Sequence, residues 1–290
     1  MKLATFSTPD NPTPRVGVIR NDTIVDLSSC SDLPTDMKSL LATGNDDTVI
    51  MSAIEGADGI AIDTISLHAP ITNPGKMLAI GLNYSDHVAE SGLEIPKHQV
   101  WFNKQHNCVN APYGDITLPQ VSPMLDYEAE MCVIIGKRCK HVPKERAHEV
   151  IGGYCCGNDI SVRDWQMHVH TWQIGKSFDT HGPIGPYLVS PNEVSDPHNL
   201  DIRCIVNGEE RQHSNTKHLI FNCFDAIEHL SKAFTLDVGD VLFMGTPAGV
   251  GAAMKPPTFL KSGDVVRVEI EKLGHIENRV VPETAETIVE

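Results

Sequence analysis

Two carboxylates separated by a single residue, Glu128 and Glu130, stand just ahead of the apolar run Met131 to Ile135. In a strand, side chains two positions apart point to the same face, so the two acids project together. Their repulsion calls for a cation or a shared proton. A third acid, Asp159, follows behind a predicted helix over Lys144 to Ile151 and the return at Gly152-Gly153. Three acidic oxygens with no Cys or His at ligand spacing beside them suit a hard divalent cation, Mg2+ or Mn2+, with Ca2+ also allowed. The plainer reading of Glu-x-Glu is the solvated face of a half-exposed sheet. The neighbours favour the metal. Arg163 and Gln166 follow Asp159 along one face of a helix predicted to start near Ser161, and Lys176 brings a second cation. Such a wall can hold a metal at one end and an anionic substrate at the other.

Upstream, His87 and Glu90 share a face of any short helix. A carboxylate beside an imidazole raises its basicity and fixes its tautomer, as a general base requires; an incidental surface pair is the alternative. The loop Gly245 to Gly251 is no Walker loop, because no Gly-Lys-Ser/Thr follows. Its backbone amides could cradle a carboxylate, with Thr246 adding a hydroxyl, and a plain structural turn fits the spacing as well. His168 and His170 have the spacing of metal ligands on a strand, but no further His or Cys follows at a fixed offset to complete a site. Lys104 is either an anion contact or the solvated end of the strand Val100 to Lys104. Trp165, Trp172 and Phe178 frame a pocket or fill the core.

The elements that must position these groups are mostly strands. Residues 1–70 form a small leading α/β domain: strands at Lys2 to Phe6, Arg15 to Ile19 and Thr23 to Asp26, turns at Pro9 to Pro14 and Asn21-Asp22, then helices near Asp36 to Ala42 and Asp47 to Ile54. The Pro/Gly-rich segment His68 to Lys76 leads into a second domain, residues 71–290. There Asn207-Gly208 marks a hairpin, Phe221, Phe224, Ile227 and Leu230 mark an amphipathic helix, and Val265 to Ile270 pairs with Ile276 to Val281. No regular strand-helix alternation of a doubly wound sheet is present.

Composition narrows the classes of function. The chain has 290 residues, enough for one large or two small domains, with 41% hydrophobic and 21% charged residues. A net charge of -15 argues against a nucleic-acid or anionic-membrane partner. No 18-residue apolar run and no basic-then-apolar leader are found, so neither a spanning helix nor a secretion signal is expected. Eight scattered cysteines without Cys-x-x-Cys point to reduced thiols and a cytoplasmic protein.

Several strings together resemble the fumarylacetoacetate hydrolase family: Asp126-Tyr127-Glu128-Ala129-Glu130, Gly157-Asn158-Asp159-Ile160-Ser161 with Arg163 and Gln166, Gly175-Lys176-Ser177-Phe178-Asp179, Gly81 to His87, and Gly245 to Gly251. The resemblance runs from about Pro74 to about Val281. It implies a β-rich α+β fold, a mixed β-sandwich roll, and a homodimer with sites near the subunit contact. It implies Glu128, Glu130 and Asp159 as metal ligands, and His87, Glu90 and Lys176 as catalytic groups. Arg163, Gln166, Thr246 and Tyr84 become substrate contacts. In the family, the His-Glu pair belongs to a mobile segment that closes over the site and activates water, and Gly92 and Pro96 flank the corresponding segment here. The implied substrate is a 2,4-diketo acid. Water activated by His87 attacks the distal carbonyl, and carbon-carbon cleavage gives a carboxylic acid and pyruvate as its enolate, with the cation as Lewis acid and Lys176 nearby. Isomerases of 2-hydroxy-diene-dioates and oxo-acid decarboxylases share the scaffold, and a non-catalytic metal-stabilised binding protein is the reading from another class. Ser85 to His98 and Met167 to Gly175 are expected to shape the acyl pocket.

Overall fold

A computed structural model describes every residue except Ser31, Asn45, Leu93, Ala285 and Glu290, and for Cys30 and Ser91 the backbone alone; Leu93, in the expected acyl-pocket segment, therefore lies outside the described residues. Apolar runs become the central strands. Met77–Gly81, Ala129–Ile135, Ile151–Asn158 and Val241–Phe243 are buried along nearly their whole length, as strands covered on both faces must be. They lie in the middle of a mixed sheet whose described strands number 12. From one edge the order is Ile60–Ala61, Thr23–Asp26, Asn11–Arg20, Lys2–Thr8, Gly182–Val189, Ile151–Asn158, Ala129–Ile135, Val241–Phe243, Met77–Gly81 and Val100–Lys104. Short strands Ser66–His68 and Val109–Asn110 pair beside this path. A second sheet of five strands contains Asp201–Val206, Glu209–Asn215, Val265–Ile270, Gly274–Pro282 and Ile116–Leu118. Val133 and Ile135 of the first sheet share a core with Ile202 and Val268 of the second, so the two sheets pack face to face. The β-rich α+β architecture expected above is what the chain adopts.

Local chemistry explains the connections. Asn207 and Gly208 both take positive φ, 51° and 82°, and close the hairpin as a two-residue turn whose twist matches its strands. The helix Cys223–Ala233 is started by Asn222, whose side chain accepts from Phe224 and Asp225 while Asp225 returns a bond to the Asn222 N–H. The expected helix over Lys144 to Ile151 is instead a 3-10 segment, Lys144–Val150. Pro9 to Pro14 is not a turn throughout: the strand Asn11–Arg20 begins inside it, and Pro12 and Pro14 sit where the pairing register shifts.

The leading 70 residues do carry the expected strands and the helices Met37–Ala42 and Asp47–Ala53. Their sheet does not stop at the segment His68 to Lys76. Strand Lys2–Thr8 pairs antiparallel with Gly182–Val189, Lys2 opposite Val189. Leu3, Val18 and Leu40 share a core with Ile134 and Phe243. No helix among the described residues is long and apolar enough to cross a membrane.

Candidate metal and oxo-acid site

The pairing of Ala129–Ile135 with Ile151–Asn158 puts Ala129 opposite Asn158 and Glu130 opposite Gly157. Just beyond the paired ends, the Asp159 N–H donates to the Glu128 carbonyl (2.9 Å), and the Glu128 N–H donates to Asn158 Oδ1 (2.9 Å). Register alone therefore gathers the three acids. One carboxylate oxygen each from Glu128, Glu130 and Asp159 lies within 4.8 Å of the others, and all three residues are buried. Glu128 precedes the strand and Glu130 lies within it.

Cations surround this cluster. Lys176 Nζ donates to Glu128 Oε2 (2.7 Å) and Asp159 Oδ2 (2.8 Å). Arg163 donates through Nη1 to Glu128 Oε1 (2.6 Å) and to Gln166 Oε1 (3.0 Å), and through Nε to Asp126 Oδ2 (2.8 Å). Lys104, wholly buried, donates to Asp159 Oδ1 (2.7 Å) and to the Lys176 carbonyl. It is neither a solvated strand end nor free to meet an anion, a correction to both readings of its position. Burial by itself raises the Glu128 carboxyl, but Lys176 and Arg163 outweigh it and hold Glu128 well below the usual carboxylate range. Glu130 goes the other way. Burial raises it, Asp159 and Glu128 raise it further, and neither the more distant Lys176 charge nor the Gly245 N–H (2.6 Å) compensates.

This asymmetry tests whether a metal fits. Asp126, Glu128 and Asp159 each hold an ion pair with Lys104, Arg163 or Lys176. Glu130, among the described residues, has no cationic side chain at ion-pair distance. A buried carboxylate without a counter-charge either stays protonated or holds a cation, and the all-oxygen donor set suits a hard divalent ion. The residues present fit the group.

Above the acids lies a cavity of about 490 Å3, lined by Glu128 and Glu130 but not by Asp159, which sits beneath it. His87, Glu90, Glu128, Glu130, Arg163 and Lys176 all reach it. The helix Ser85–Ser91 carries the dyad and ends at Gly92 in the left-handed conformation. His87 Nδ1 lies 3.4 Å from Glu90 Oε2, and the Gly249 N–H donates to both Glu90 oxygens (3.0 and 3.1 Å). Gly249 needs its glycine: φ is 103°, and a Cβ there would lie 2.0 Å from the Arg211 carbonyl. The start of the helix is tied by Ser214 Oγ, which donates to Asp86 Oδ2 (2.8 Å).

Thr246 and Gln166 also line the cavity. Tyr84 does not. Its ring is fully buried, its hydroxyl has no partner, and burial together with the charges of Glu130 and Asp86 pushes its ionisation up. The substrate contact expected of Tyr84 is thus corrected: its neighbour Asn83, bonding Phe221 and Met244, turns the chain so that Tyr84 packs inward. His168 and His170 are not on a strand. The helix Arg163–Met167 ends at His168, and neither histidine joins the acidic cluster. Trp172 lines the cavity, whereas Trp165 and Phe178 pack against the core and each other.

Two residues of the site escaped the sequence. Gln212, buried, accepts from the Ala129 N–H (2.9 Å) and donates to Thr246 Oγ1 and the Pro247 carbonyl (both 2.8 Å), joining the metal strand to the glycine loop. Asp126 accepts from Gly251 and Ala252 N–H (2.8 and 2.9 Å) as well as Arg163. The Asp in Asp126-Tyr127-Glu128 was a visible signal for the second; nothing in the local pattern marks the first.

Comparison with known proteins agrees with this geometry. Residues 76–281 match the model of the fumarylacetoacetate (FAA) hydrolase C-terminal domain. The chain is 43% identical to oxaloacetate tautomerase fahd2, mitochondrial, of Xenopus laevis, covering 97% of this chain and 90% of that protein. The structure of maleylpyruvate hydrolase from Sphingobium sp. SYK-6 with manganese(II) and pyruvate superposes with a TM-score of 0.83 at 28% identity, over 98% of this chain and all of that one. The 2-hydroxyhepta-2,4-diene-1,7-dioate isomerase of Mycobacterium marinum gives 0.78 at 29% identity, with the same coverage. With its motifs, its fold and its buried acids in agreement, the chain belongs to the fumarylacetoacetate hydrolase family.

Proposed function

We propose that this chain is a divalent-metal-dependent enzyme of small 2-oxo acids, and that its reaction is keto–enol tautomerisation of a 2-oxo dicarboxylic acid of the oxaloacetate kind. One observation carries the reading: Glu128 and the uncompensated Glu130 of a buried carboxylate trio line the same cavity as an imidazole–carboxylate dyad. The similarity to oxaloacetate tautomerase across nearly the whole chain sets the order of preference.

A cation held by Glu128, Glu130 and Asp159, magnesium or manganese, supplies Lewis-acid polarisation of the substrate's 2-oxo oxygen. Arg163 Nη2 is buried without a partner among the described residues, and Gln166 spends its carbonyl on Arg163. Together they offer N–H donors to the substrate carboxylate. Glu90, held by Gly249, fixes the His87 ring through Nδ1 and leaves Nε2 to act on the substrate. His87 Nε2 takes a proton from C3 of the keto form, the electron pair moves to C2–C3, and Lys176 Nζ delivers a proton to the 2-oxo oxygen. The reverse sequence returns the keto form and both protons to their donors.

Carbon-carbon hydrolysis of an acylpyruvate is the second reading, favoured by the cavity volume, which exceeds the needs of a four-carbon acid. His87 Nε2 then takes its proton from water, the hydroxide attacks C4, and the C3–C4 bond breaks with its electron pair left on C3 of pyruvate. Manganese-loaded protein offered enol oxaloacetate and a set of acylpyruvates separates these. Loss of the enol absorbance without new carbon fragments supports tautomerisation, two fragments support hydrolysis, and carbon dioxide supports decarboxylation. Metal uptake with no turnover of any oxo acid would leave a binding protein and sink the proposal. The reading extends to a homodimer, tested by light scattering. The seven described cysteines are free thiols, which suits a reducing compartment, either the cytoplasm or the mitochondrial interior named for the relatives; cell fractionation tests the choice.

A further inference from the structure

The segment from Met167 to Gly175 folds back over the cavity with no Lys, Arg, Asp or Glu in it. Its return is tight, since a Cβ on Gly175 would lie 2.1 Å from the Gln166 nitrogen. Trp172 is its single inward aromatic residue. Three observations set it apart from ordinary packing. Its backbone takes φ 59°, a region that a bulky residue enters only when its surroundings demand it. Its indole lies against Gly81, where a Cβ would come within 2.5 Å of Cζ3. It meets Phe102 edge-on, ring centroids 5.7 Å apart, and Phe102 in turn lies 5.2 Å from the Lys176 ammonium. A large side chain is thus held in a strained backbone, over a position kept bare, beside the ring that touches a catalytic lysine.

We propose that Trp172 is the specificity-determining residue of this cavity: its indole closes the apolar part formed with Ile80, Leu82, Phe102 and Met167, and so limits the size of the tail a 2-oxo acid can carry. The inference rests on the reading of the site as an oxo-acid site. Bulk is limited by the indole itself, because Gly81 and Phe102 leave it nowhere to swing without losing its packing.

The test uses manganese-loaded protein and two inert analogues, oxamate and N-phenyloxamate, with binding measured by titration calorimetry. W172A is expected to raise the affinity for N-phenyloxamate relative to oxamate by about tenfold or more, the discrimination a few methylene-sized groups give in an apolar pocket. W172F is expected to fall between W172A and the unaltered protein, and it decides the matter if W172A does not fold. Manganese affinity is expected to stay unchanged in both. An unchanged ratio in a folded variant overturns the role of Trp172 and leaves the oxo-acid reading intact. Binding of the analogues without turnover of any oxo acid overturns the catalytic reading while the ratio still decides for or against Trp172. If neither analogue binds the unaltered protein, both are overturned.

Discussion

The floor of the cavity and the segments that cover it are built on different terms. Lys104, Glu130, Asp159 and Lys176 are all at most 3% exposed, and each is bonded to a buried group elsewhere in the chain: Lys104 and Lys176 to Asp159, Glu130 to the Gly245 N–H. The covering segments are held by few contacts, none of them an ion pair to a buried cation: Ser214 to Asp86, Gly249 to Glu90, and the packing of Trp172 on Phe102. Met167 and Ile174, on the second segment, are 73% and 53% exposed. A floor made this way loses its function with any one of its charges. The cover can change its side chains and alter only what is admitted, which fits a family whose members act on different oxo acids.

Breaking the floor gives the largest effects. Glu130→Gln removes the one acid without a cationic partner while keeping its shape. Manganese affinity is expected to fall by more than the roughly 10- to 100-fold typical of losing an outer-shell partner, and turnover with it. Unaltered metal content by elemental analysis would mean Glu130 is no ligand. Lys104→Met leaves Asp159 short of a buried partner and is expected to cost about 3–5 kcal/mol in denaturant unfolding. A loss under 1 kcal/mol (roughly the value of an exposed pair) would show that Lys104 is not needed to hold Asp159.

Breaking the cover should separate chemistry from metal binding. His87→Ala is expected to lower turnover about 10²- to 10⁴-fold with manganese affinity unchanged; a parallel loss of metal would place the helix Ser85–Ser91 with the floor instead. A pH effect sharpens the contrast from outside the site. His181 is buried against Phe178, its Nε2 at 2.8 Å from the Thr117 carbonyl, and burial depresses it from 6.5 to about 3. Both states are neutral above pH 6.5, so its contribution is complete there. Below pH 6.5 the unfolded chain binds a proton that the folded one refuses, so stability falls by about 1.4 kcal/mol per unit until the pH nears 3. His181→Gln should flatten that slope between pH 5 and 6.5, and an unchanged slope would assign it to other groups. Ser214→Ala gives the smallest change, about 0.5–1.5 kcal/mol, read as faster hydrogen exchange confined to the helix Ser85–Ser91.

What the sequence reveals follows the same division. Glu128 and Glu130 can be paired from strand periodicity, and Arg163 with Gln166 from helical spacing, because both relations are local. The dyad of His87 and Glu90 is local too. Lys104 and Gln212 cannot be read that way. Each sits on a strand among ordinary neighbours, and only the sheet order and the sheet-to-sheet packing aim it at the acids. Tyr84 shows the opposite error: its motif is visible, but whether its ring faces the cavity depends on Asn83 and the buried bonds it makes. Likewise, three strands and two helices in residues 1–70 look self-contained until the partner of Lys2–Thr8 is known.

That partner has a consequence for the chain as it is made. On one edge of the first strand, Lys2 and Leu3 cannot pair until Gly182–Val189 has left the ribosome, whereas Asn11–Arg20 and Ser66–His68 cover the rest of the strand early. Pairings this remote are slow to form and leave sticky edges uncovered meanwhile. The newborn polypeptide should therefore keep this corner of the sheet open until late in synthesis, while the rest of the strand is already paired.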